Sequence, residues 1–364
     1  MKEFTGFQKG MGIGGWLTNF KRIKLLPPEM RKVITIGDLE HFDRYITHED
    51  VKKIASFGMD HIRIAFDQIV VEDNDHPFIY KENGLRHIDD FIGWCQAEGL
   101  NVMLNLHKAV GAYCDCTDEG DLLTAPELQD RFVSLWEMFE KRYHTIGNVA
   151  FEILNEVNSA DSIRWNALAE RTVKMLRPMN PDRLIVIGSA QWNSVGKLAE
   201  LKTYDDDKII YTFHFYGPGE FTHQKSVIST WNYVYNRDMP YPGDIEHYKD
   251  FQRFVKGDPA AYDRYERMDE AYILNQLQPA KDWIAANPDK ILYAGEFGTI
   301  RHCRLEWRQN WMRDVIRFMI NNDIPYCVWN YLSTPYDCNR FSLVDDDRRE
   351  TVSNEMLRII QGRV

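Results

Sequence analysis

Residues 148–155 read Asn-Val-Ala-Phe-Glu-Ile-Leu-Asn, and residues 162–177 follow them with apolar positions at helical spacing. The first segment is short and mostly apolar, which fits a buried strand; the second is long enough for four turns of helix. The same pair repeats outward in both directions. Toward the N-terminus, strand 101–107 precedes helix 126–143. Strand 59–66 precedes a helix that carries Leu85, Ile88, Phe91, Ile92 and Cys95. The run 12–17 precedes helix 47–57, with Thr47 as N-cap and Asp50 three residues on. Toward the C-terminus, strand 184–188 leads to a short helix 194–201, strand 209–214 to helix 268–286, strand 291–295 to helix 305–321, and strand 325–330 to helix 352–360. Eight strands each followed by helical material imply a parallel sheet covered on both faces. Eight such units favour a closed α/β fold, the (β/α)8 TIM barrel, over an open doubly wound sheet. No Gly-x-Gly-x-x-Gly turn follows the first strand, which weakens a dinucleotide-binding alternative.

Length and charge narrow the function. At 364 residues, 44% hydrophobic and 27% charged, the chain has ample material for a core and is read as one catalytic barrel domain over 1–364. A formal net charge of −11 repels polyphosphate and anionic lipid, so neither nucleic acid nor a membrane is an expected partner. No apolar run is long enough to span a bilayer, and residues 1–6 carry no apolar leader core. The six cysteines are scattered, and Cys95 and Cys327 sit in apolar runs, as reduced thiols of a cytosolic protein would. Export with a leader already removed is the other expectation for location.

One connection departs from the repeat. Residues 217–268 separate the sixth strand from its helix, and ten of these 52 residues are aromatic. Such an insertion at a barrel mouth shapes the site. Most of its rings are expected to form a small core of their own, with one or two left for substrate.

The strands end on polar groups: Arg63, His107, Asn155-Glu156, His214-Phe215-Tyr216, Glu296 and Trp329. One polar strand end is readily structural; six converging on one mouth point to a site. Glu156 ends the fourth strand and Glu296 the seventh, across the barrel axis from each other. Opposed carboxylates suit glycosidic cleavage, where one protonates the leaving oxygen and the other attacks or activates water. Arg63 suits holding a carboxylate ionised, Tyr216 hydrogen-bonding it, Asn155 bonding a sugar hydroxyl, and Trp329 stacking.

These segments, read together with Glu40-His41-Phe42, Leu106-His107-Lys108-Ala109, Phe221-Thr222-His223-Gln224-Lys225, Gly295-Glu296-Phe297-Gly298 and Val328-Trp329-Asn330-Tyr331, resemble glycoside hydrolase family 5. Within it the chain is similar to compact bacterial endoglucanases of the cellulase C type. The resemblance implies Glu156 as acid/base and Glu296 as nucleophile of a retaining endo-β-1,4-glucanase. It also implies Asn155 at the sugar 2-hydroxyl, Arg63 and Tyr216 beside the nucleophile, His107 and His214 along the subsite of cleavage, and Trp329 beneath that sugar. Val157 stands where the family often has proline after the acid/base.

The substrate expected is a β-glucan polysaccharide or oligosaccharide, taken by a monomer without a cofactor. β-Mannanase, mixed-linkage β-glucanase and exo-acting β-glucosidase are neighbouring activities on the same scaffold. A glycan-binding barrel without catalysis predicts a missing carboxylate, and both are present. His107, Cys114 and Cys116 form a poor zinc pattern, since no fourth ligand accompanies them. The runs Asp205-Asp206-Asp207 and Asp345-Asp346-Asp347 lack EF-hand spacing and read as solvated loops.

Overall fold

The computed structural model describes residues 3–18, 36–114, 120–333, 340–345, 348–351 and 353–364. Cys116, Cys338, Asp346, Asp347 and Val352 lie outside the described residues. Eight parallel strands form the barrel: β1 (Lys9–Leu17), β2 (His61–Asp67), β3 (Asn101–Ala109), β4 (Val149–Glu152), β5 (Ile185–Gly188), β6 (Ile209–Phe215), β7 (Ile291–Phe297) and β8 (Tyr326–Val328). Each pairs in parallel with the next, and β1 pairs with β8, so the sheet closes. The (β/α)8 barrel expected from the alternation is the fold found.

Alternation along the strands builds two apolar regions. Outward residues such as Ile62, Ile64, Val102, Leu104, Phe151 and Tyr211 pack beneath the helices with Phe91, Leu135, Trp165 and Trp311. The inward set, Met103, Ala150, Val186, Ile210, Ile291, Tyr293 and Cys327, fills the lower barrel, and Phe4 and Phe7 plug its base. Above this layer the inward positions turn polar: Arg63, Glu152 and Thr212, then His107, His214 and Glu296, all buried. Polarity thus rises toward the C-terminal mouth, where barrel sites form.

β7 breaks the two-residue period once. Ala294 pairs with Phe213, but Glu296, not Gly295, pairs with His214. Ala294 and Phe297, three apart, both pack outward. The extra residue is a bulge at Gly295, where a side chain would meet Thr212 Oγ1 at 2.5 Å. Strict alternation would have sent Glu296 to the outer layer; the bulge turns it into the barrel.

The helices 126–143 and 305–321 have the bounds read from sequence. The expected helix 268–286 is two, Glu270–Gln276 and Gln278–Ala286. Pro279 opens the second and has no N–H to continue the first. The fourth strand is shorter than expected and stops at Glu152, so Asn155 and Glu156 lie on the turn beyond it. Trp16 faces neither mouth nor floor: it is buried against Phe91 in the helical layer and donates its indole N–H to Phe42 O at 2.8 Å.

Between Phe215 and Glu270 the chain adds helices Gly219–Thr222, Thr230–Tyr235 and Ile245–Lys256, and a ribbon pairing Gly243–Asp244 with Arg267–Met268. Asp244 caps Ile245–Lys256 by accepting from Glu246 N, and Gly257 ends it in the left-handed region at φ 72°. Phe221, Tyr241, Tyr248, Phe251 and Tyr262 are buried, whereas Trp231, Tyr233 and Phe254 are exposed. Five of the ten insertion rings are therefore buried, and they join the same apolar cluster as the helical layer rather than forming the separate small core expected from composition.

Candidate active site

Arg63 organises the mouth from below. It is fully buried on β2. Its Nε and Nη2 donate to the two oxygens of Glu152 at 2.6 and 2.9 Å, Nη1 to Glu296 Oε2 at 2.8 Å, and Nη2 also to Asn155 Oδ1 at 2.7 Å. A planar fork suits three such acceptors where an ammonium would not. Glu152 escaped the sequence reading because a single carboxylate inside the expected strand 148–155 looked like part of an apolar run. Its two contacts make it the main counter-charge of Arg63, so Glu296 shares a guanidinium already paired.

Glu296 accepts at its other oxygen from Tyr216 Oη, 2.7 Å away. Both expected neighbours are thus in contact with it. Burial nonetheless pushes the Glu296 carboxyl above its ordinary range, and nearby Glu156 adds to that; His214, Arg63 and the Tyr216 hydroxyl pull the other way. The expectation that Arg63 and Tyr216 keep this carboxylate ionised holds for the sign of their effect, but burial outweighs them.

Glu156 is placed by a left-handed backbone, φ 33°, uncommon for a residue with a side chain. Its Oε1 lies 2.8 Å from His214 Nδ1. Its side chain is 20% exposed against 7% for Glu296, so the two carboxyls differ in their access to water. Ligating atoms of Glu156, His214 and Glu296 all lie within 4.8 Å of one another, the one such cluster among the described residues. As a cation site this set is poorly suited, because both Glu296 oxygens already accept from Arg63 and Tyr216.

Burial holds His214 neutral, its pKa pushed down to about 4, although Glu296 opposes this. His107 is likewise driven well below its usual value by burial, with Lys108, Arg63 and His214 adding to the effect. Its ring lies parallel to Trp329, centroids 5.8 Å apart. Gly12 and Gly14 of β1 make the slot for that indole: a side chain at Gly14 would meet the ring at 2.3 Å. Asn155 Nδ2 is buried with no partner among the described residues, a donor available to a hydroxyl. The eight residues singled out from sequence therefore converge on one mouth. The Cys114 thiol donates to His107 O at 3.6 Å.

Sequence reading also missed the turn after β5. Gln191, Trp192 and Asn193 are all left-handed, φ 51° to 58°. Trp192 is 41% exposed, with its indole N–H fixed to Cys114 O at 2.8 Å and its backbone N–H to Val157 O. It stands beside the loop carrying Glu156. Only its aromatic character hinted at this; three successive left-handed residues without glycine have no local signature.

A closed parallel barrel with opposed carboxyls, supporting cation and stacking indole at its C-terminal mouth defines the class of (β/α)8 glycosidases. Residues 29–334 match the family model described as cellulase, glycosyl hydrolase family 5. The chain is 35% identical over 364 residues to endoglucanase C of Acetivibrio thermocellus, covering 99% of each. It is 32% identical over 234 residues to cellodextrinase A of Ruminococcus flavefaciens, covering 64% of each. The structure superposes on Thermotoga maritima Cel5A in complex with cellobiose at a TM-score of 0.70, with 23% identity and 97% of each chain covered. The chain belongs to glycoside hydrolase family 5 and is a cellulase-type glycoside hydrolase.

Proposed function

We propose that the protein is a retaining endo-β-1,4-glucanase, built as one catalytic barrel unit with 217–268 as an insertion at its mouth. The observation that carries this is the carboxyl pair, with one oxygen from each no more than 4.8 Å apart. Retaining glycosidases place their carboxyl groups roughly 5–5.5 Å apart, whereas inverting ones leave about 6.5–9.5 Å for water. Glu296, enclosed and hydrogen-bonded on both oxygens, attacks the anomeric carbon. Glu156, nearer water, gives its proton to the leaving oxygen. Once the glycosyl-enzyme has formed, the negative charge of Glu296 is gone, and Glu156 as carboxylate draws a proton from the attacking water. The unpartnered Asn155 Nδ2 bonds a sugar hydroxyl, and Trp329 supplies the stacking face.

Proton NMR during early hydrolysis is expected to show the β-anomer first, with mutarotation later. A slow activated fluoro-sugar should leave its label on the peptide carrying Glu296. First appearance of the α-anomer would overturn the covalent role.

The endo assignment is supported by the likeness to endoglucanase C over the whole chain. The expected result on soluble cellulose or mixed-linkage glucan is a rapid viscosity drop ahead of reducing-sugar release. The cellodextrinase relative favours a second reading, action on short soluble chains. Unchanged viscosity with release of glucose or cellobiose from oligosaccharides would select it. A product profile on manno-oligosaccharides separates a mannanase.

A further inference from the structure

We propose that Asn193 is a positioning residue for the acid/base: its buried side-chain amide fixes which nitrogen of His214 carries the hydrogen, and so which oxygen of Glu156 transfers the proton. This inference rests on the functional reading above.

The geometry is a relay of three side chains. Asn193 Nδ2 lies 3.1 Å from His214 Nε2, and His214 Nδ1 lies 2.8 Å from Glu156 Oε1. An amide nitrogen only donates, so Nε2 must accept, and the hydrogen of the neutral ring is left on Nδ1. Nδ1–H then donates to Glu156 Oε1. That oxygen is occupied as an acceptor in both states of the carboxyl, which confines the transferable proton to Oε2. Without the amide, the ring is free to carry its hydrogen on Nε2. Nδ1 would then accept from a protonated Oε1 and hold the proton away from the leaving group.

The chain is built to bring this amide there. Asn193 is fully buried, and its left-handed φ of 51° ends the turn after β5. Ser194 next to it pairs with His214 on β6. Gly188 clears the space: a side chain there would meet Asn193 Oδ1 at 2.3 Å. The turn is held by Gln191 N to Ser159 O at 2.9 Å and Ser189 Oγ to Ser194 O at 2.8 Å. Asn193 Oδ1 has no partner among the described residues, so the contact to His214 is the one polar bond shown for this side chain. The ionisable groups facing His214 are Glu156 and Glu152 from the β4 side, Glu296 from β7, Arg63 from β2 and His107 from β3. Burial dominates them and keeps the ring neutral at working pH, as a tautomer-setting role requires.

The test has a readout independent of activity. In ¹⁵N-histidine-labelled wild-type protein, His214 should show a bare, acceptor-type Nε2 and a protonated Nδ1. In Asn193→Asp, where only acceptors face the ring and the left-handed backbone is still tolerated, Nε2 should become protonated. Asn193→Gly, which also tolerates this φ, should move the alkaline limb of kcat/KM on a cello-oligosaccharide upward by about one pH unit. Its kcat should fall with little change in KM. A protonated Nε2 in the wild type, or an alkaline limb that stays in place while kcat falls, would overturn the proposal. Failure of the functional reading looks different: Glu156→Gln would then leave hydrolysis unaffected.

Discussion

Replacing Glu156 by glutamine is expected to slow hydrolysis of a β-glucan by about 10²–10⁴-fold, while an aryl glycoside with a good leaving group loses far less. The side chain keeps its size, and its oxygen still accepts from His214 Nδ1, so the mouth keeps its shape. In the proposed mechanism, what disappears is the proton given to the departing oxygen. A sugar alkoxide leaves poorly without it; a stabilised phenolate hardly needs it. The ratio of the two losses is therefore the diagnostic measurement. Equal losses on both substrates would mean that Glu156 does not act as the acid.

Replacing Arg63 by methionine should destabilise the fold by about 3–5 kcal/mol, the cost of leaving buried carboxylates without their partner. Stability of a domain is about 5–15 kcal/mol, so this is a large share. Both oxygens of Glu152 and one of Glu296 accept from this guanidinium inside the barrel, and among the described residues no other side-chain hydrogen bond reaches the Glu152 carboxylate. Urea unfolding of the variant and wild type measures it. Arg63→Lys should recover only part of the loss, because one ammonium cannot span Glu152, Glu296 and Asn155. A cost below about 1 kcal/mol for Arg63→Met, the scale of an exposed ion pair, would show that water reaches this cluster.

The pH dependence should follow from the same burial. In the proposed mechanism Glu296 must be ionised to attack, and its carboxyl is raised by burial, so activity should fall on acidification at a pH above the ordinary carboxylate range. The acid limb of kcat/KM reads this directly. Glu296 with Tyr216→Phe should be shifted further upward, since the hydroxyl favours the charged form.

Much of the architecture was legible in the chain because it rests on local rules. Period-two and helical spacing, turn residues and caps give eight strand–helix units, and two helices have the bounds expected. The insertion announced itself by length and rings. Polar residues at the ends of otherwise apolar strands marked Arg63, His107, Asn155, Glu156, His214, Tyr216, Glu296 and Trp329, and their order supported the family resemblance.

What the tertiary structure alone decided is how those groups face one another. Glu296 enters the barrel only because β7 carries a bulge at Gly295, and a bulge is defined by the register against β6, some eighty residues earlier in the chain. A glycine in a strand permits one but does not say on which side of it the pattern flips. Glu152 reads as one polar residue in an apolar run until the closed barrel sets it against Arg63, 89 positions away. Asn193 and Trp192 reach the mouth through left-handed backbone that no local propensity favours and that contacts from Val157, Ser159 and Cys114 hold in place. Periodicity is a property of neighbouring residues and survives in the sequence; register, charge compensation and strained turns are properties of contacts between distant segments, and they exist only once the barrel has closed.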